Sequence, residues 1–92
     1  MTVTAPASVT AGTEFDVSWS ETLDQRDIVT IVPADADEDK IRNHLRTRGD
    51  SAGSLRAPGE PGLYEVRYVR NQGRKVAGER PVEVTEAKTS VT

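Results

Sequence analysis

Phe15-Asp16-Val17-Ser18-Trp19 and Pro61-Gly62-Leu63-Tyr64-Glu65-Val66-Arg67-Tyr68 decide the fold of this chain. In both runs the large side chains recur at every second residue, the period of a strand buried on one face. Together they hold all four aromatics, Phe15, Trp19, Tyr64 and Tyr68, so the aromatic residues are expected in a core. A core built this way belongs to a small all-β sandwich. It also withdraws the side chains that sugar and nucleic-acid sites ordinarily stack on.

Outward from these runs, Thr2-Val3-Thr4-Ala5-Pro6 reads as a first edge strand, where a proline is tolerated. Thr10-Ala11-Gly12-Thr13 reads as a turn, and Glu14 to Ser20 as the first long strand. Asp27-Ile28-Val29-Thr30-Ile31-Val32 is almost wholly β-branched and apolar on both faces, so it is expected to be a central strand stopped by Pro33. Ala34 to Lys40 is an acidic loop, and Ile41 to Arg46 fits a short helix or a strand. Thr47 to Ser54 reads as loop and Leu55 to Ala57 as a brief strand. Leu63 to Arg70 and a strand ending Pro81-Val82-Glu83-Val84-Thr85 flank the turn Asn71-Gln72-Gly73-Arg74, which predicts a hairpin. The expected domain is 1–86, with a polar tail or linker stub over 87–92. Its expected core is Phe15, Val17, Trp19, Val29, Ile31, Tyr64, Val66, Tyr68, Val82 and Val84.

Composition excludes several classes of chemistry. There is no cysteine, hence no disulfide, no thiolate metal site and no cysteine nucleophile. No apolar run reaches the length of about 20 residues that a membrane helix needs, so no membrane insertion is expected. Residues 1–12 lack the basic start and apolar centre of a signal peptide; if a parent protein is exported, its signal is expected to have been removed. Residues 1–40 carry nine acidic and two basic side chains, whereas 41–92 carry six acidic and ten basic. In a sandwich the two halves interleave, so this asymmetry is expected to appear as complementary surface charge. Arg42, Arg46, Arg48, Arg56, Arg67, Arg70 and Arg74 read first as solvated strand faces, and otherwise as a basic surface for phosphate or an acidic partner, a protein before a nucleic acid. Nucleic acid is not expected, because exposed aromatics and a basic net charge are both missing.

The succession Ala11-Gly12, Val17-Ser18-Trp19, Asp27-Ile28-Val29-Thr30-Ile31-Val32-Pro33, Leu55-Arg56-Ala57-Pro58 and Pro61-Gly62-Leu63-Tyr64-Glu65-Val66-Arg67-Tyr68-Val69 resembles immunoglobulin-like accessory domains of bacterial cell-envelope proteins. Such domains often accompany von Willebrand factor type A domains. The Trp at the end of an early strand and the Tyr after Pro-Gly are also similar to fibronectin type III domains, and the Asp-Ile and Gly-x-Tyr elements to SKICH domains. The resemblance implies an antiparallel, Greek-key, immunoglobulin-like β-sandwich of about seven strands. It implies that Tyr64 is a corner tyrosine whose hydroxyl bonds back to the preceding loop. It further implies a periplasmic or cell-surface setting and a non-catalytic structural or protein-interaction role. The partner would be a neighbouring domain or another protein, and the isolated domain a monomer. The matching positions are core and turn residues, so no cofactor and no functional residue is carried over.

Three motifs remain. Gly49-Asp50-Ser51-Ala52-Gly53 matches the G-x-S-x-G nucleophile pattern, but no histidine follows Ser51 and His44 is the only one in the chain. Without strand–turn–helix context it reads as a turn, and no catalytic residue is expected. Arg48-Gly49-Asp50-Ser51 is the tetrapeptide that integrins read, placed in an expected loop, and makes an adhesion module the alternative function. Asp35-Ala36-Asp37-Glu38-Asp39 opens like a calcium loop, but Lys40 and Arg46 stand where an EF-hand needs Gly and Glu. Asp35, Asp37 and Asp39 are therefore left as candidates for a weak calcium site only.

Overall fold

The computed structural model describes residues 1–21, 23–24, 26–37, 43–48, 50–73 and 75–86. Among them there is no helix. Eight strands form two sheets: β1 (Val3–Thr4), β2 (Ser8–Thr10), β3 (Glu14–Trp19), β4 (Ile28–Pro33), β5 (His44–Arg46), β6 (Ala52–Arg56), β7 (Gly62–Val69) and β8 (Val76–Thr85). The small sheet has the order β1-β3-β6 and the large one β2-β8-β7-β4-β5.

The all-β expectation holds, and three details of it change. The first strand shortens to Val3–Thr4, with Val3 paired to Trp19 in the small sheet, and the chain then crosses to a second, unexpected strand, Ser8–Thr10, which pairs with Glu83–Thr85 in the large one. Pro6 lies in the crossing between them, where a residue without an N–H breaks no ladder. The β2–β8 pair is parallel, so the large sheet is mixed rather than wholly antiparallel. The stretch 47–54, expected to be loop throughout, already contains the start of β6, because Ala52 to Ser54 pair with Ser18 to Asp16. These small residues carry no strong alternating signal, and pairing with β3 decides their state. Of the ambiguous stretch 41–46, the described end 44–46 is a strand.

β4 is central, between β7 and β5, and β7–β8 is the expected hairpin, antiparallel from Gly62↔Val84 to Val69↔Val76 with a register shift at Tyr68/Val69. Gly12 (φ 76°) and Gly73 (φ 72°) supply the left-handed residues of the two turns that need them. Glu83 donates its N–H outward to Ala7 O at 3.0 Å, and Pro81, two residues earlier, faces the same side just ahead of the start of β2. A proline there leaves no donor exposed and blunts the edge.

Phe15, Val17, Trp19, Val29, Ile31, Val66, Tyr68, Val82 and Val84 are buried in one cluster, as expected, together with Val3, Ala11, Leu55 and Ala57. Trp19 and Tyr68 meet at a ring-centroid distance of 6.4 Å, tilted by 60°. Tyr64 is the exception, packed on the cluster but only half-buried, because its hydroxyl reaches out to donate to Glu60 O at 2.9 Å. Val32, Val69 and Thr30 are also buried yet lie outside that cluster. They share the outer face of the large sheet with Arg67, which ties the connection after β4 across that face. The tail 87–92 lies outside the described residues.

Candidate functional site

The two loops singled out in the sequence sit at opposite ends of β4. Arg46 pairs with Ile28 at its start, whereas Pro33 at its finish leads directly into Ala34–Asp37. Six strand residues, roughly 20 Å, separate them.

At the first end, the connections 20–27, 47–51 and 70–75 are fastened around a buried carboxylate. Asp27 is only 1% exposed. Its Oδ2 accepts from Asp24 N at 2.8 Å and from Tyr68 Oη at 2.5 Å, and its Oδ1 accepts from Asn71 N at 2.7 Å. Tyr68 Oη in turn accepts from Leu23 N at 2.8 Å. Thr47, fully buried, donates its N–H to Asp27 O and its hydroxyl to Asp24 O, both at 3.0 Å. A carboxylate taken from water must be satisfied by several donors, and this one holds three. Among the described residues no buried side-chain polar atom is left unpaired. Burial, reinforced by the bond to Asp27, pushes the Tyr68 phenol up to about 12. The backbone N–H of Arg26 holds the Asp24 carboxyl below its ordinary range, and the charges of Arg26 and Arg70 add to that.

The Arg48–Ser51 loop continues from this knot. Asp50 N donates to Thr47 O at 2.8 Å, closing a tight turn in which Arg48 takes a left-handed φ of 51°. The Trp19 indole donates to Asp50 O at 2.8 Å, and Trp19 N donates to Ser51 O at 2.9 Å. The backbone is thus pinned to the core while the side chains of Arg48, Asp50 and Ser51 are exposed. Gly49 lies outside the described residues.

The G-x-S-x-G pattern acquires a packing explanation. Ser51 leads into β6, an outer strand of the small sheet, and not into a helix. A Cβ on Gly53 would lie 3.0 Å from Leu45 Cδ2, so the glycine makes room for a side chain arriving from the other sheet. His44 is exposed on β5, opposite Thr30.

At the far end, Asp35 and Asp37 are exposed, and Asp39 lies outside the described residues. Arg67 spends its guanidinium on the backbone here, donating to Ala36 O at 2.9 Å, Asp37 O at 3.1 Å and Ala34 O at 3.4 Å. The same group pairs with Glu65 at 2.9 Å. Three loop carbonyls that an ion would otherwise draw on therefore already face a cation. Among the described residues no group of three or more metal-binding side chains occurs. Arg67 is 6% exposed, so it leaves the basic surface expected of it; Arg46, Arg48, Arg56 and Arg70 are exposed, and Arg42 and Arg74 lie outside the described residues.

The residues that organise the first end, Asp27, Thr47 and Asn71, were not singled out from the sequence. The signal in the sequence is an aspartate directly before a β-branched run, with Asp24 three residues earlier and Arg26 beside it, and nothing local marks Thr47, Tyr68 and Asn71 as its distant partners. No protein-family model matches this chain, and no curated protein matches it.

Proposed function

We propose that this domain is a non-catalytic, immunoglobulin-like module of a larger bacterial envelope protein, acting in the periplasm or at the cell surface. It supports a neighbouring domain or binds a protein partner through its loops. The observation that carries this reading is the pairing of a first strand shared between both sheets with a tyrosine corner, Tyr64 Oη to Glu60 O at 2.9 Å. The tyrosine corner is a feature of immunoglobulin-like sandwiches, whose loops at the sheet ends serve as contact surfaces, and a strand shared between the sheets ties the two layers together. The fastening of three connections around Asp27 supports the same reading, since loops ordered in advance lose little entropy on binding.

Calorimetry on the parent protein, with and without this domain, tests the proposal. The neighbouring domain should melt at lower temperature when this one is removed, or a partner retained by the intact protein should be lost. Unchanged melting together with unchanged partner retention would refute it. A hydrolytic activity abolished by Ser51→Ala in a folded variant would also do so.

One observation favours adhesion as a second reading: Arg48 and Asp50 are exposed on a turn whose backbone the Trp19 indole holds in place. Integrin-dependent cell attachment to the immobilised domain should then fall on Asp50→Glu. Equal attachment to both proteins would exclude it.

A further inference from the structure

Among the described residues, the two rims of the large sheet carry opposite charges at the same pitch. At the end where the connections meet Asp27, each of four adjacent strands contributes an exposed cation: Arg46 closes β5, Arg26 precedes β4, Arg70 follows β7 and Lys75 precedes β8. Neighbouring strands lie about 4.8 Å apart, so this row spans roughly 14 Å. Arg48 adds a fifth cation beside it. The acids at this end are largely occupied. Asp27 is buried under three donors, Asp24 takes the N–H and guanidinium of Arg26, and Asp50 is engaged within the domain. Glu21 is exposed in the same connection.

At the opposite rim the same central strands end in exposed acids. Asp35 and Asp37 follow β4, Glu60 precedes β7 and Glu86 follows β8, with Glu83 three residues before it within that strand. Glu14 and Arg56 offset one another there at 3.6 Å. Both rims are held on ordered backbone: Arg70 N donates to Lys75 O and Asn71 N to Asp27 at one end, while Ala34 N donates to Leu63 O and Arg67 holds the 34–37 carbonyls at the other. Since the charges ride on the same strands, the spacing of one row matches that of the other by construction.

We propose that copies of this domain associate end to end, the cationic rim around Arg46, Arg70 and Lys75 receiving the acidic rim around Asp35, Glu60 and Glu86 of the next copy. The contact is head to tail, so it does not close on itself and yields a linear stack rather than a symmetric dimer. It is held by exposed charges, so it is weak, reversible and sensitive to salt. This inference is independent of which partner the loops bind and of whether the domain supports a neighbour.

Sedimentation velocity on the domain over a wide concentration range tests it, first at about 20 mM salt, where charges act over roughly 20 Å, then at about 0.5 M, where they act over roughly 4 Å. Two neutralised variants are compared, Arg46→Gln/Arg70→Gln and Asp35→Asn/Glu60→Gln, each checked for an unchanged melting temperature. The expected result is a mass that rises with concentration only at low salt, falls to monomer in either variant alone, and rises to dimer and no further when the two variants are mixed. A monomer at every concentration at low salt would overturn the proposal. So would association that survives both variants, which would point to the exposed Leu63 instead, or a mixture that stays monomeric.

Discussion

Tyr68 donates its hydroxyl to the carboxylate of Asp27 across the interior, linking two residues 41 positions apart in the chain. Through this one bond the central strand β7 positions the connection that leads into β4. The aromatic ring belongs to the hydrophobic cluster and the oxygen to the polar knot above it, so Tyr68 couples the core to the loop end.

Tyr68→Phe removes the donor to Asp27 and the acceptor for Leu23 N while leaving the ring in place. We expect a loss of about 1–3 kcal/mol in urea unfolding, the cost of leaving buried polar groups without partners. Asp27→Ala strands three donors and is expected to cost more. A Tyr68→Phe variant as stable as the parent would contradict the role given to this bond.

The same phenol predicts an alkaline limit. Its folded value of about 12 lies above the ordinary 10.0, so between these values the folded chain keeps a proton that the unfolded chain has released. Stability is therefore whole below about pH 10 and is lost as pH rises through about 12, by at most roughly 3 kcal/mol. Urea titrations across this window should show the decline in the parent protein and a smaller one in Tyr68→Phe. Identical pH slopes would disprove the assignment.

Trp19 anchors the Arg48–Ser51 loop as well as the core. Trp19→Ala is expected to cost about 3–5 kcal/mol, enough to unfold so small a domain. Trp19→Phe keeps much of the packing and loses the indole bond to Asp50 O. Amide exchange at Asp50 should then quicken about fivefold, the equivalent of ~1 kcal/mol. Unchanged exchange there would mean that the turn holds itself.

Arg67 is buried by the carbonyls it serves. Arg67→Lys retains the charge but cannot reach Ala34, Ala36, Asp37 and Glu65 at once. A loss of about 2–3 kcal/mol is expected, with faster amide exchange over 34–37. Arg56→Lys, on an exposed pair with Glu14, is the control and should stay within about 0.5 kcal/mol.

Gly78 tests the placement of the N-terminal segment. A Cβ there would stand 2.7 Å from Met1 Cγ, 3.1 Å from Val3 Cγ2 and 3.2 Å from Met1 O. Gly78→Ala is expected to push β1 off the sheet and lower stability by about 1–3 kcal/mol. Gly53→Ala meets only the flexible end of Leu45 and should be milder. The opposite ranking would misplace β1.

Alternation alone located β3, β7 and the later part of β8, because a strand whose two faces meet different surroundings writes its orientation into every second residue. Together with the unbroken β-branched run of β4, which supplies Val29 and Ile31, it placed nine of the ten expected core residues, Tyr64 being half-buried for the sake of its hydroxyl. β6 was legible only at Leu55 and Arg56, since Ala52, Gly53 and Ser54 are small and owe their strand state to β3. Arg67 looked like surface charge because nothing local to it shows that the connection after β4 crosses above it.

The sequence by itself determined the all-β class, the hairpin and most of the core, for these depend on periodicity and turn chemistry within a few positions. Tertiary structure alone decided that the first strand divides between two sheets, that one pair is parallel, and that Asp27, Thr47, Tyr68 and Asn71 form a single knot. It alone separated the charges onto two rims of one sheet. Each of these rests on pairing between distant segments, and a chain carries no local mark of the partner that folding will bring to it.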